Sequence, residues 1–124
     1  MRAPGKPGGG WSWVLQRLSA VLLLGLVLAH LWIEHFMHLG RRFTYHGVQA
    51  RLVHGIYDAI DYALLVVVVY HGLNGVFQVV TERVHNPPAV RFLGIGLVVV
   101  GIATVVLGAD ILSAFLAGRP WFLL

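Results

Sequence analysis

Residues 62–81 read YALLVVVVYHGLNGVFQVVT, twenty residues without a formal charge. As an α-helix rising about 1.5 Å per residue the stretch is about 30 Å long, the thickness of the hydrocarbon layer of a bilayer. The pattern therefore predicts a transmembrane helix, and His71 falls near its midpoint. A polar ring at that depth costs free energy unless something binds it, so an ionisable residue there marks a functional site by default. On a helical projection Gly75, Gln78 and Glu82 lie within about 40° of His71. With Gly72 beside it, this face is small around the imidazole and polar towards Glu82. Small residues let another helix, or a flat ligand, come close.

The rest of the chain agrees with a membrane solvent. It has 124 residues, is 58% hydrophobic and only 11% charged, and its mean hydropathy is +0.80. Soluble domains carry about 25% charged residues. The net charge of +4 comes from nine basic residues spread over tails and connections, which points to lipid head groups rather than nucleic acid. The absence of cysteine excludes disulfides, iron–sulfur ligation and thiolate ligation of haem by this chain. Any metal must be held through histidine or carboxylate.

Residues 1–10 (MRAPGKPGGG) are basic and rich in Pro and Gly, a composition expected to form a mobile tail. Residues 11–124 are read as one domain of three spans. Trp11 and Trp13 suit the head-group interface, and residues 18–33 are uncharged between Arg17 and Glu34, giving a first helix that runs on to about His38. A secretory signal is the competing reading of this segment; the length of the run and the lack of a small-x-small site after it speak against that. The polar stretch 40–51 (GRRFTYHGVQAR) forms the first connection. The second helix is expected over about 57–83, with Asp58 and Asp61 in its first turns, where carboxylates favour the positive end of the helix dipole. His85-Asn86-Pro87-Pro88 is a stop signal. The third helix is expected from Ala89 or Val90, uncharged over 92–109, with Gly94, Gly101 and Gly108 forming a stripe for packing. Asp110 and Arg119-Pro120-Trp121 mark its exit. The fold class is thus all-α, three transmembrane helices in an antiparallel bundle completed by partner subunits.

Of seven histidines, His35, His38, His46, His54 and His85 lie at or beyond the interfaces, where a solvated imidazole needs no explanation. His30 and His71 remain. Laying the first two helices antiparallel with Arg17 level with Glu82 brings His30 within about 3 Å of the depth of His71, so the two are expected to share one site or to serve two. Neutral imidazole is the usual axial ligand of haem iron, and helix bundles hold cofactors between facing helices. A hydrogen bond to a neighbouring helix would also account for either residue, and spacing alone leaves both readings open.

Two segments carry a resemblance. QRLSAVLL (residues 16–23) and YDAIDYALLVVVVYHGLNGVFQVVTER (residues 57–83) look like the hydrophobic membrane anchor subunit of succinate dehydrogenase, in its bacterial form with two small three-helix anchors. The likeness covers the three-span layout, about 110 residues in outline. Its most specific part is His-Gly-x-Asn-Gly with an acidic residue eleven places after the histidine. The resemblance implies that His71 is an axial ligand of haem b and leaves His30 as a candidate for a second haem. It implies a quinone site that includes Arg17, Ser19 and Glu82. The tyrosine that follows the acidic residue in the family is Arg83 here, which leaves open whether Arg83 is the quinone donor or the partner of a haem propionate. It further implies a flavoprotein subunit, an iron–sulfur subunit and a second haem-ligating anchor as partners, in a bacterial cytoplasmic membrane.

The function so implied is passage of electrons from succinate oxidation, carried out in the partner subunits, to quinone, joining the citric acid cycle to the respiratory chain. The alternatives are the anchor of a quinol:fumarate reductase and a non-catalytic scaffold or assembly subunit, which would show no haem absorption. Three spans put the two ends of the chain on opposite sides. Arg2, Lys6, Arg17, Arg83 and Arg91 fall on one side and Arg41, Arg42, Arg51 and Arg119 on the other, a margin that barely favours a cytoplasmic N-terminus; the resemblance favours it more strongly. Thiol labelling from outside the cell is expected to reach a cysteine placed at Gln49 and to miss one placed at Gly9; the opposite pattern would invert the topology.

Overall fold

The computed structural model describes residues 10–36, 44, 46–47 and 55–117. Residues 1–9 of the expected tail, most of the first connection, His38, His54 and the exit residues 119–121 lie outside the described residues, and the tenth residue of that tail, Gly10, is already helical. Three helices make up the architecture: α1 Gly10–His35, α2 Gly55–Thr81 and α3 Pro87–Leu116. They contain 26, 27 and 30 residues, and all three are long and apolar enough to cross a membrane.

The helix ends follow from local chemistry. α1 begins at Gly10, well before the uncharged run, because nothing from Trp11 to Arg17 breaks a helix and its polar side chains find partners on α2. α2 stops at Thr81, whose hydroxyl turns back to donate to the Phe77 carbonyl at 2.7 Å, and Glu82 and Arg83 form the turn. The two prolines open α3, after residues 82–86 have already left α2. Asn86 caps α3 with extended backbone (φ −75°, ψ 113°), so that Pro87 and Pro88 occupy its first turn. There the fixed φ of proline suits a helix and the missing N–H is no loss. This corrects the expected start at Ala89 or Val90.

α2 is the middle element. It packs against α1 on one side and α3 on the other, and α1 and α3 do not meet among the described residues. The α2–α3 seam is made by the glycine stripe. A Cβ on Gly101 would fall 2.8 Å from Leu73 Cδ1, and one on Gly108 would fall 2.8 Å from both δ-methyls of Leu65. Each leucine thus occupies the space a side chain would need. Ala114 is the sole buried apolar side chain among the described residues. Among the described residues no leucine or valine is buried and about half are exposed, as expected where lipid and other subunits are the solvent.

The α1–α2 register differs from the one expected. Ser12 meets Asn74 and Gln78, Gln16 meets Asn74 and His71, Ser19 meets His71, and His30 meets Asp61. In this register Arg17 stands opposite about Leu73, some nine residues or about 13 Å short of the level of Glu82. Levelling the charged ends of the two helices was the wrong criterion, since those ends can snorkel while internal polar groups must be paired. Because the chain has no native cysteine, the register is open to a direct test. Cysteines at Ser12 and Asn74 are expected to cross-link in mildly oxidised membranes, whereas cysteines at Arg17 and Glu82 are not.

Candidate functional site

The α1–α2 contact is a ladder of polar side chains inside two apolar helices. Ser12, Gln16 and Ser19 are spaced i, i+4, i+7 on α1, and His71, Asn74 and Gln78 are spaced i, i+3, i+7 on α2, so each set forms one stripe. Ser12 Oγ donates to Asn74 Oδ1 at 3.0 Å, and Asn74 Nδ2 donates to Gln16 Oε1 at 2.6 Å. That orients the Gln16 amide, whose Nε2 donates to the His71 carbonyl oxygen at 3.2 Å. Gln78 Nε2 closes the other end on the Ser12 carbonyl and hydroxyl, at 3.2 and 3.3 Å. Gly75 makes the approach feasible: a Cβ there would lie 3.1 Å from Gln16 Nε2.

His71 sits at the deep end of this ladder. Its Nδ1 lies 3.0 Å from Ser19 Oγ and 3.4 Å from Gln16 Nε2, while Nε2 has no partner among the described residues. Ser19 is itself buried and its hydroxyl reaches the Gln16 carbonyl at 3.0 Å. An imidazole held at one nitrogen and open at the other is the form in which histidine ligates a metal. Among the described residues no three acidic or histidine side chains gather into a metal site. A metal at His71 would therefore take its other ligands from outside the described residues.

The other residues singled out by the sequence do not converge on His71. His30 lies about 15 Å along the bundle from His71 and its Nδ1 is 2.8 Å from Asp61 Oδ1. The expectation that the two histidines share one depth is thus corrected, because it rested on the wrong register. Asp61, expected to serve the helix dipole, is instead the partner of His30. Arg17 shares the level of His71 but points away from α2; it is exposed, and its guanidinium lies 4.3 Å from the centre of the Trp13 ring. Such stacking favours the cation by about 0.5–1 kcal/mol without neutralising it. Glu82 and Arg83 are exposed on the turn after α2. Ser12, Gln16 and Asn74 were not recognised as a group from sequence, although their spacing was the available signal.

A family model described as the succinate dehydrogenase/fumarate reductase transmembrane subunit matches residues 2–109. The chain belongs to this family. No curated relative matches it. Membership makes the chain a transmembrane subunit of the succinate dehydrogenase/fumarate reductase type, and the three long apolar helices make it a multi-pass membrane protein. In such a subunit the open arrangement of α1, α2 and α3 has a purpose, since faces left bare by one chain are available to the rest of the complex.

Proposed function

We propose that the chain is the membrane anchor of a bacterial succinate:quinone oxidoreductase, supplying one axial ligand to haem b and part of the quinone site. The observation that carries this reading is the state of His71, an imidazole within a membrane-spanning helix, with Nδ1 held and Nε2 unpartnered among the described residues, in a chain of this family. Haem b, when bound, stores one electron at a time between an iron–sulfur donor and a quinone acceptor. This chain's share is to hold the imidazole upright, to keep water from the ligated face, and to place charge near the acceptor. The second axial histidine would come from a second small anchor, and the flavoprotein and iron–sulfur subunits would dock on the cytoplasmic side, where the N-terminus and the α2–α3 turn are placed by this reading.

Quinone reduction develops negative charge on the quinone oxygens, and fixed cations favour it. Arg17, Glu82, Arg83 and Arg91 are exposed charged groups at this end. Arg17 has a ring beneath it and no carboxylate beside it among the described residues, so its charge is free for an acceptor outside the chain. Glu82 is suited to pass protons to a reduced quinone and Arg83 to hold an oxygen or a haem propionate. His30, tied to Asp61, pins the far ends of α1 and α2 together; it is the remaining candidate for a second haem. The same subunit would serve a fumarate reductase with the flow of electrons reversed, and a redox titration of haem against the quinone pool separates the two directions.

His71→Ala is expected to abolish or severely weaken haem b binding while the helices still insert, since the change only makes the span more apolar. An unchanged low-spin spectrum and haem content would overturn the reading. Arg17→Lys is expected to leave haem content and assembly intact but to lower succinate–quinone turnover several-fold. Lysine snorkels as well as arginine but lacks its planar, stacked fork. Activity with a soluble dye that bypasses the quinone site should be preserved; normal quinone turnover in the assembled mutant would reduce Arg17 to a membrane anchor.

A further inference from the structure

The ladder that joins α1 to α2 dictates which nitrogen of His71 carries its proton. The Ser12 hydroxyl is spent on Asn74 Oδ1 and the Asn74 amide on Gln16 Oε1, so the Gln16 amide nitrogen faces His71 and donates to its carbonyl oxygen at 3.2 Å. The longer 3.4 Å approach of that nitrogen to Nδ1 is at the limit of a hydrogen bond. That leaves Ser19 Oγ, at 3.0 Å, as the group that engages Nδ1. Ser19 has its own acceptor in the Gln16 carbonyl, also at 3.0 Å. If the serine proton goes to that carbonyl, a lone pair on Oγ is free to accept Nδ1–H and the lone pair of the imidazole resides on Nε2. If the serine proton went to Nδ1 instead, Nε2 would carry an N–H with no acceptor among the described residues, inside a span where an unmet donor is costly.

We infer that Ser19 is a positioning residue for His71: its hydroxyl oxygen accepts a hydrogen bond from Nδ1–H while its O–H donates to the Gln16 carbonyl, and so it fixes the tautomer, tilt and basicity of the imidazole. This rests on the reading of His71 as a haem ligand. It also gives Ser19 a task other than the quinone contact implied by the resemblance. The relay is a connected chain of donors and acceptors, so the loss of one member is felt at the imidazole. A hydrogen bond from the outer nitrogen raises the electron donation of the inner one, which favours ferric over ferrous iron.

The test is made on the assembled complex in membranes. Ser19→Ala is expected to retain haem and dye-coupled activity but to lower the ferric-to-ferrous affinity ratio on the order of tenfold, an upward shift of about 59 mV in a one-electron midpoint potential. The low-spin spectrum should change with it, since the ring is freed to rotate. Should Ser19→Ala fail to assemble, Ser19→Thr, which keeps the hydroxyl, takes its place. A potential close to that of the unmodified complex then supports the relay, and a shifted one overturns it. Lowered quinone turnover with an unmoved potential and spectrum would make Ser19 a quinone contact and overturn the inference. If His71→Ala keeps its haem, the ligand reading has failed whatever Ser19 does; if His71→Ala loses haem while Ser19→Ala leaves potential and spectrum in place, the relay alone has failed.

Discussion

In hydrocarbon an apolar side chain gains little by touching another, so the register of two helices is decided by the few polar groups that must find each other. In this chain those groups are Ser12, Gln16 and Ser19 facing Asn74, Gln78 and His71, with His30 and Asp61 at the far end. Each interhelical bond in a membrane is worth about 0.6 kcal/mol on average, and none alone would fix the pair. Acting together they do, because sliding one helix by a residue turns its stripe by about 100° and breaks all of them at once. The rest of the structure follows from this pairing: the level of His71 beside Gln16 and Ser19, the exposure of Arg17, and the separation of His30 from His71.

The α2–α3 seam obeys a different rule. It has few polar bonds, among them the Tyr62 hydroxyl to the Ala109 carbonyl at 3.4 Å. Instead Leu65 and Leu73 lie where side chains on Gly108 and Gly101 would be, so close packing holds this side. α2 is therefore gripped by hydrogen bonds on one face and by shape on the other. Since α1 and α3 do not meet among the described residues, the chain leaves long apolar faces bare, and other subunits or lipid must complete the bundle.

Much of this was legible in the sequence. The three spans followed from length and hydropathy, and the glycine period at 94, 101 and 108 announced the seam on which Gly101 and Gly108 admit their leucines. The motif around His71 carried the family, which the match over residues 2–109 shows. What was misread was relative position. Hydropathy says where a helix meets the interface only to within a turn or two, and an arginine such as Arg17 hides the boundary further because its side chain can reach the interface from below it. Ser12 and Gln16 were overlooked because they precede the uncharged run, and Asp61 because a carboxylate near a helix start has a ready explanation in the dipole. Pairing polar residues across helices, rather than matching helix ends, would have given the observed register.

The same register separates the two membrane histidines by their electrostatic surroundings. Both are held at Nδ1, His30 by a carboxylate and His71 by a hydroxyl, and both leave Nε2 without a partner among the described residues. Near His30 the described charges are acidic: Asp61 touches it, Asp58 lies one turn away on α2, and Tyr62 binds the carbonyl next to Asp110. At the other end of the span the described charges are mainly basic, with Arg17 at the level of His71 and Arg83 and Arg91 around the turn. A haem carries two ionised propionates, and a quinone becomes anionic as it is reduced. In a medium where charges interact strongly, such groups are repelled from a cluster of carboxylates and drawn to guanidinium groups. On the reading proposed above, the imidazole that would serve an anionic cofactor at least cost is the one towards the basic end, His71.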